Sequence, residues 1–516
     1  MSLFVPPVVR ATDANNLALS GAKWYFYTTG TTTPAAVYTT SALSVAHPNP
    51  VVADSGGLFA PIYLDPAVTY RAILKTAGGT TIQDVDPYLK VQAADIPATA
   101  PNGAVTNLQR HIVKNYLEDI SGVVEGSGGN AATNSTAINA AFVGGAHYNM
   151  RPGALYKIGA SLIIPSNSSL VFEGSNRPTI LMPAANFTNT DNSASGTTPR
   201  YGTNAVGINI SGLKTSPYTA NSNIILENFI LQSETTIGRW LRGIVGQNIT
   251  NCQINGVEVY GIPTGIGICL ASAIRCSIDG VYVHDFFDST VWGTATQSTG
   301  IEIDNDTVNS VPSSDVSITN FRIENITGTG TAFIPPGSGL QTDGINIANA
   351  DAQVRVAHGR IYNVGEGIDH FGKNSTFDDI VMDTLYNYGL KFIHGASNNV
   401  ATNIVVTNAG LAFLVFAGSS VAARDTANNR VVGLVGKTLD PSGNWSASSS
   451  AGILFIDNVG TTGKPRHNTV TSAYIDPGAN GDYGWLDSST GAKNFGFELD
   501  IAEGAGLQKR ITVQNG

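Results

Sequence analysis

Asp343-Gly344-Ile345-Asn346-Ile347 is followed 23 residues later by Glu366-Gly367-Ile368-Asp369-His370, and then by Tyr388-Gly389-Leu390-Lys391-Phe392. The same signature recurs before and after these three blocks. Thr264-Gly265-Ile266-Gly267-Ile268 and Thr299-Gly300-Ile301-Glu302-Ile303 precede them; Ala409-Gly410-Leu411-Ala412-Phe413 and Ala451-Gly452-Ile453-Leu454-Phe455 follow. Stacked as equivalent strands, they put Glu302, Asn346, Asp369 and Lys391 in one file, with Asp343 and Glu366 in a second file beside it. A stack of strands needs the repeated Ile and Leu. It does not need the carboxylates.

A second ladder repeats the period. Asn251-Cys252-Gln253-Ile254-Asn255-Gly256-Val257-Glu258-Val259 matches Arg275-Cys276-Ser277-Ile278-Asp279-Gly280-Val281-Tyr282-Val283 at an offset of 24. The same apolar offsets return at Ile224, Leu226, Phe229 and Leu231, at Val316, Ile318, Phe321 and Ile323, and more weakly at Val354, Val356, Gly359 and Ile361. Self-similarity at this period, with alternation inside each unit and Asn or Gly at the corners, is the mark of a parallel β-solenoid. No rung buries its own apolar face, so coils must stack. The expected fold is all-β: a right-handed, single-stranded parallel β-helix with a small N-terminal β domain, the hand being the one parallel connections take. Longer intervals carry insertions at 284–299 and 326–341, each leading into an acidic strand.

Composition fits that reading. Of 516 residues only 13% are charged, while Gly, Ser, Thr and Asn abound, which suits strands and turns and argues against a helical protein. The net charge of −10 has no basic stripe, so nucleic acid is not an expected partner. Three cysteines form no disulfide framework, and Cys252 and Cys276 occupy equivalent rung positions, as buried free thiols would. No stretch of about 20 apolar residues marks a membrane span, and Met1-Ser2-Leu3-Phe4-Val5-Pro6-Pro7 has neither the basic nor the apolar region of a signal peptide.

Ahead of the solenoid, residues 1–90 alternate in short strands punctuated by turns: Trp24-Tyr25-Phe26-Tyr27, Asp54-Ser55-Gly56-Gly57, and Val68 to Leu74. Residues 91–133, with Pro97 and Pro101, read as a linker or neck that could carry a short helix over 107–119. Asn134-Ser135-Thr136-Ala137-Ile138 opens a helix with Asn134 as its cap, and the solenoid is expected over 134–480. Residues 481–516, with Tyr483, Trp485, Phe495 and Phe497, are expected to form a terminal cap or a contact between subunits.

That helix, then Pro152-Gly153-Ala154-Leu155-Tyr156, Leu162-Ile163-Ile164-Pro165 and Leu170-Val171-Phe172-Glu173-Gly174, resembles the entrance of pectate-lyase-3-type β-helices, found in bacteriophage tailspikes and pectin-degrading enzymes. The family usually has an Asp-rich stretch before this helix; here it is Asn130-Ala131-Ala132-Thr133-Asn134. Residues 1–90 resemble the modules that attach tailspikes to phage tails. The resemblance covers most of the chain and implies a homotrimeric tailspike of the virion, made in the host cytoplasm. Its implied partners are phage tail or baseplate proteins and a bacterial surface polysaccharide: capsule, O-antigen or exopolysaccharide. The acidic column is also similar to polygalacturonase-like glycosidases, in which a Thr-Asp-Gly strand is followed by Gly-Asp-Asp and His-Gly strands. Here these are Thr342-Asp343-Gly344, Gly365-Glu366-Gly367 and Tyr388-Gly389, so Asp343 and Glu366 match while the second Asp and the His do not. Asp369 is a candidate for the missing carboxylate.

Glycoside hydrolysis needs a protonated acid for the leaving oxygen and a carboxylate acting as base or nucleophile. Rungs about 4.8 Å apart hold two carboxyls close enough for both roles, and stacked like charges raise one pKa. The catalytic candidates are therefore Glu366 as acid, with Asp369 and Asp343 as base and partner. Glu302, Asp304, Asn346, Lys391 and Trp292 are candidate sugar contacts, Trp292 as a platform for a pyranose face. No cofactor and no metal are expected: Glu302, Asp304 and Asp306 lack the Gly and distal Glu of a calcium loop. The competing readings are a solvated acidic surface, a non-catalytic receptor-binding spike using the same groove, and a polysaccharide lyase, which wants cations that the acidic strands supply only as Lys391.

Overall fold

A computed structural model describes residues 2–4, 11–12, 17–40, 42–65, 67–88, 97–99, 105–107, 115–126, 129–182, 205–212, 219–234, 241–263, 265–286, 297–304, 311–326, 341–348, 351–419, 424–441, 450–457, 463–489, 494–502 and 511–513. The chain forms two compact units, Met1–Lys114 and Asn115–Gly516.

The first unit is all β. Strand Lys23–Thr28 lies between Val51–Val52 and Tyr70–Lys75, and Tyr70–Lys75 pairs on with Thr81–Tyr88, all antiparallel. A second four-stranded sheet orders Ser2–Phe4, Ile62–Leu64, Val37–Tyr38 and Ala46–His47. Alternation does the sorting: Trp24 and Phe26 are fully buried with Val37, Leu64, Tyr70 and Ala72, while Tyr25 and Tyr27 lie on the other face and stack. Asn49 completes the backbone accounting, with Nδ2 donating to the carbonyls of Phe26 and Ala35 and Oδ1 accepting from the amide of Phe26.

The second unit is a parallel β-helix. Among the described residues, 29 strands join into one continuous parallel ladder from His147–Asn149 to Ile511–Val513, and Thr426–Ala427 pairs separately with Pro465–Arg466. The offset of 24 holds: Gln253 pairs with Ser277 and Glu258 with Tyr282. Ile, Leu, Val and Phe at alternate positions fill one core running through all the coils, and Cys252 and Cys276 lie in it as free buried thiols. Corner residues take the left-handed conformation where the chain turns between faces, as at Asn223, Asn251, Asn320, Asn363 and Asn403. A buried amide ladder runs up one corner: Asn399 donates to Asn429, Asn429 to Asn468 and Asn468 to Asn494, each through Nδ2. Beside it Phe392, Phe416, Phe455 and Trp485 stack at 4.8–5.4 Å.

The signature glycines have a steric cause. A Cβ on Gly207, Gly243, Gly267, Gly300, Gly344 or Gly367 would come within 2.5–2.7 Å of the carbonyl oxygen of the glycine one rung on. Only glycine lets the backbones stack at that point. The column begins two rungs before the first block quoted above, at Val206-Gly207-Ile208 and Arg242-Gly243-Ile244.

The structure revises the sequence reading at the following places. Ile266 pairs with Thr299 and Cys269 with Glu302, so the rung begins at Ile266, two residues later than the Thr264 block implies. Tyr388 pairs with Ala412 and Lys391 with Val415, three residues later than the Ala409 block implies. The helix spans Ala131–Ala141 with Asn130 as its cap, Asn130 Oδ1 accepting from the amide of Thr133; Asn134 lies inside it, its buried amide bridging Val124 and Lys157. Of the short helix expected over 107–119, residues 108–114 lie outside the described residues, and Leu117–Asp119 form one 3₁₀ turn. Rungs also continue past residue 480, with Tyr483–Asp487 and Phe495–Ile501 pairing parallel to the coil before them.

Candidate active site

The two files predicted from sequence exist. Glu302 pairs with Asn346, Asn346 with Asp369 and Asp369 with Lys391. Beside them Asp343 pairs with Glu366 and Glu366 with Tyr388. In each strand a buried Ile or Leu follows the glycine and locks the sheet to the core, so the flanking residues face outward.

Outward does not mean solvated here. Asp343 is 0% exposed, Asp369 1%, Glu366 4%, Glu302 and Asn346 5%, and Lys391 8%. That overturns the solvated acidic surface. Oxygens of Asp343, Glu366 and Asp369 lie within 4.8 Å of one another, a grouping that would suit a cation. The cation the structure puts there is Lys391: Nζ donates to Glu366 Oε2 at 2.5 Å and stands 3.2 Å from Asp369 Oδ2. Its ammonium also lies 5.5 Å from the centre of the Tyr388 ring. Asp343 is reached differently. Asn346 Nδ2 donates to its Oδ2 at 2.8 Å, while Oδ1 has no hydrogen-bond partner.

These contacts set the electrostatics. Burial, followed by the charges of Glu366 and Asp369, pushes the Asp343 carboxyl well above the usual carboxylate range. Burial also raises Glu366, with Lys391 pulling against it. Burial opposes the Lys391 charge, but Asp369 and Glu366 outweigh it and hold the ammonium above its ordinary value. The cluster thus holds one carboxyl strongly biased to its protonated form within reach of carboxylates that face a cation. Burial favours the protonated form at both Asp343 and Glu366, and the ammonium that opposes it at Glu366 is the kind of asymmetry from which separate acid and base roles arise.

Other candidates fall elsewhere. Asp304 sits on the same strand as Glu302, two residues on and half-buried, its Cα partner being Ala271. Trp292 and Asp306 lie outside the described residues, as do 287–296 and 327–340 of the two insertions. His370 is a core residue, edge-on to Phe377 and Phe392, and burial lowers its pKa to about 4. His394 packs edge-on against Phe371, and burial lowers it to about 4 as well.

A further charged group went unmarked in the sequence. His284 contacts Glu258 through Nε2 at 3.1 Å and Asp285 through Nδ1 at 2.9 Å, between the rings of Tyr260 and Tyr282. Arg177 pairs with Glu258, and Arg322 with Glu324. The signal was the outward positions of the second ladder, which carry Glu, Tyr, His and Arg where small polar residues would serve. Each of Glu258 and Glu324 already faces a cation, so the group reads as a clasp between rungs. A cleft of about 290 Å³, lined by Asp315, Ser317, Gln353, Arg355, Asn374 and Thr376, opens on another face of the helix, away from the acidic cluster.

No family model and no curated protein matches the sequence. Among solved structures, the chain is similar to the tailspike protein of E. coli bacteriophage HK620. An aspartate-to-asparagine variant in complex with a pentasaccharide gives a TM-score of 0.55 at 10% identity, covering 80% of this chain and 71% of that one. A glutamate-to-glutamine variant, also with pentasaccharide, gives 0.55 at 11% identity with the same coverage. The Streptococcus pneumoniae surface adhesin PfbA gives 0.49 at 13% identity over 78% of this chain and 96% of that one. The likeness to the tailspike protein agrees with the parallel β-helix seen in the strand pairing.

Proposed function

We propose that this protein is a phage tailspike that binds a bacterial surface polysaccharide and hydrolyses it at the Asp343–Glu366–Asp369 cluster. One observation carries the catalytic part: three carboxyls and a lysine are buried together on positions that the following rungs fill with Ala412, Val415, Ala451 and Leu454. Burying charge costs several kcal/mol per ion before pairing offsets it, on the order of magnitude of a whole domain's margin. Stability therefore gives no reason to keep the set, and acid–base chemistry does. In the reaction a protonated carboxyl gives its proton to the leaving glycosidic oxygen as the C1–O bond breaks. An ionised carboxylate attacks C1 or takes a proton from the attacking water, and one water is consumed per bond cleaved.

Hydrolysis fits better than elimination. A lyase needs positive charge free to neutralise a uronic acid carboxylate, and Lys391 is already held by Glu366 and Asp369. A second reading, a spike that binds without cleaving, is favoured by the closure of the cluster to solvent at 0–8% exposure. Attachment to the phage tail through residues 1–90 and assembly as a homotrimer belong to the same proposal. They are supported by the two-sheet N-terminal unit and the likeness to a tailspike.

The test is incubation with a panel of capsules, O-antigens and exopolysaccharides, following new reducing ends and unsaturated-uronate absorbance together. Reducing ends alone support hydrolysis; both signals mean a lyase. Binding with neither identifies the non-cleaving spike. Light scattering on the same sample checks assembly, and a monomer of 53.8 kDa at micromolar concentration would remove the trimer.

A further inference from the structure

Lys391 does not treat the three carboxyls alike. Its ammonium touches Glu366 at 2.5 Å and Asp369 at 3.2 Å, and no contact joins it to Asp343. The asymmetry follows from register. Lys391 is the Cα partner of Asp369 and lies one rung beyond Glu366, whereas Asp343 lies a further rung back. The Tyr388 ring, in the file next to Lys391, restricts the ammonium from the remaining side. At the far end Asp343 is fully buried, with one oxygen served by the Asn346 amide and the other without a partner. A buried carboxylate anion has about four lone-pair sites to satisfy, and this surrounding serves one of them. A neutral carboxyl tolerates that poverty far better.

We propose that Lys391 is the positioning residue that decides which carboxyl carries the cluster's proton: by clamping Glu366 and Asp369 it leaves the proton on Asp343. The acid is then Asp343 and not Glu366, the reverse of the assignment made from sequence, and Glu366 and Asp369 are the ionised pair. The physical cause is Coulombic. A cation within 4 Å favours the charged form of what it touches, and two anions beside a third carboxyl disfavour the third charge. The burial and neighbouring charge that raise Asp343 act in the same direction. The inference rests on the functional reading for its use in catalysis, but the place of the proton is a property of the protein alone.

The test is therefore made without any glycan. Infrared difference titration follows the protonated-carboxyl C=O band of the full chain from about pH 4 to pH 8, where exposed carboxylates have ionised. The wild-type protein should keep such a band into the neutral range, Asp343→Asn should lose it, and Glu366→Gln should keep it. Lys391→Met should gain a second band as Glu366 or Asp369 takes up a proton, and Lys391→Arg should restore the wild-type pattern. Since Lys391→Met could fail to fold, the Arg variant and the two carboxyl variants decide the matter by themselves, with circular dichroism confirming the fold of each. A band lost in Glu366→Gln and kept in Asp343→Asn overturns the proposal, as does a wild-type protein with no neutral-range band. A band that behaves as expected in a protein that cleaves no glycan would sink the depolymerase reading and leave the role of Lys391 intact.

Discussion

Two stretches of the same sheet face occupy the same two files and differ in almost everything else. From Asp343 to Lys391 the outward positions hold Asp343, Asn346, Glu366, Asp369 and Lys391; from Ala412 to Leu486 they hold Ala412, Val415, Ala451, Leu454, Tyr483 and Leu486. Backbone, register and inward core are continuous across the boundary, with Phe392 stacked on Phe416 and Phe416 on Phe455. Both stretches are closed to solvent as far as Leu454, with Tyr483 and Leu486 half-buried beyond it: Val415 is 2% exposed and Leu454 5%, against 0% for Asp343 and 1% for Asp369. The later rungs solve the problem of a covered outer face in the inexpensive way, with apolar side chains packed as a cluster of their own. The earlier rungs place ions there. The fold therefore tolerates but does not require the charges, and their presence needs a cause other than folding.

Moving charge across the boundary should break this comparison most sharply. Leu454→Glu puts a carboxylate between Val415 and Leu486, where no described cation waits. It should cost about 3–5 kcal/mol, the scale for an uncompensated buried charge, measured as a fall in the urea midpoint at neutral pH. A cost below about 1 kcal/mol would mean the apolar stretch is more hydrated than its burial indicates.

Within the charged stretch the expected loss is of activity. Asp343→Asn and Asp369→Asn keep shape and should each lower turnover by about 10²-fold or more, the scale of acid–base assistance, while glycan binding persists. Full activity in both variants would move the reaction off this face.

How far the sequence carried this comparison is instructive. The period was legible because each rung must supply its own inward Ile, Leu or Val, so the fold and the main acidic file could be read directly. The register slipped where the only guide was a glycine beside an aliphatic residue. Gly265 opens the strand Gly265–Ile274 with φ +146° and Gly410 lies at a bend, and both mimic the signature two or three residues early. Asn134 looked like a helix cap because it precedes good periodicity, yet Asn130 does the capping. Burial of the cluster was not legible at all. Alternation tells which side of a strand a residue faces, and says nothing of what covers that side. For the same reason the choice of acid was not legible, since it depends on which carboxyls one ammonium reaches.

The proton on Asp343 also has a signature in stability. A carboxyl whose folded pKa is raised stabilises the fold fully below its unfolded pKa, and that contribution is lost as pH rises through the folded pKa. Because Asp343 is raised well above its ordinary 3.8, the wild-type protein should lose stability as pH climbs from that value through the elevated one, by about 1.4 kcal/mol for each unit of elevation. Asp343→Asn should flatten this part of the profile. Thermal melts across pH read the slope, and a slope that survives in Asp343→Asn assigns it to another group.

The smallest effect is expected at Glu302, where the charged file begins. Glu302 shares the burial of the cluster at 5% exposed, but Asn346 stands between it and Asp369. Two rungs of about 4.8 Å separate the two carboxyls, and at an effective dielectric of 20 that spacing leaves an interaction of less than about 2 kcal/mol. Glu302→Gln should therefore relieve some repulsion on Asp369, shift the pH optimum by less than about 1.5 units, and act on glycan affinity more than on turnover. Its other neighbour in the file is Cys269, in the small apolar group formed with Val206, Val245 and Ile266. Glu302 is thus the end of the charged run in its own file, and its neutralisation asks whether the acidic file ends where the chemistry ends. A turnover loss as deep as that of Asp369→Asn would extend the catalytic set by one rung; a change confined to affinity would close it at Asp343.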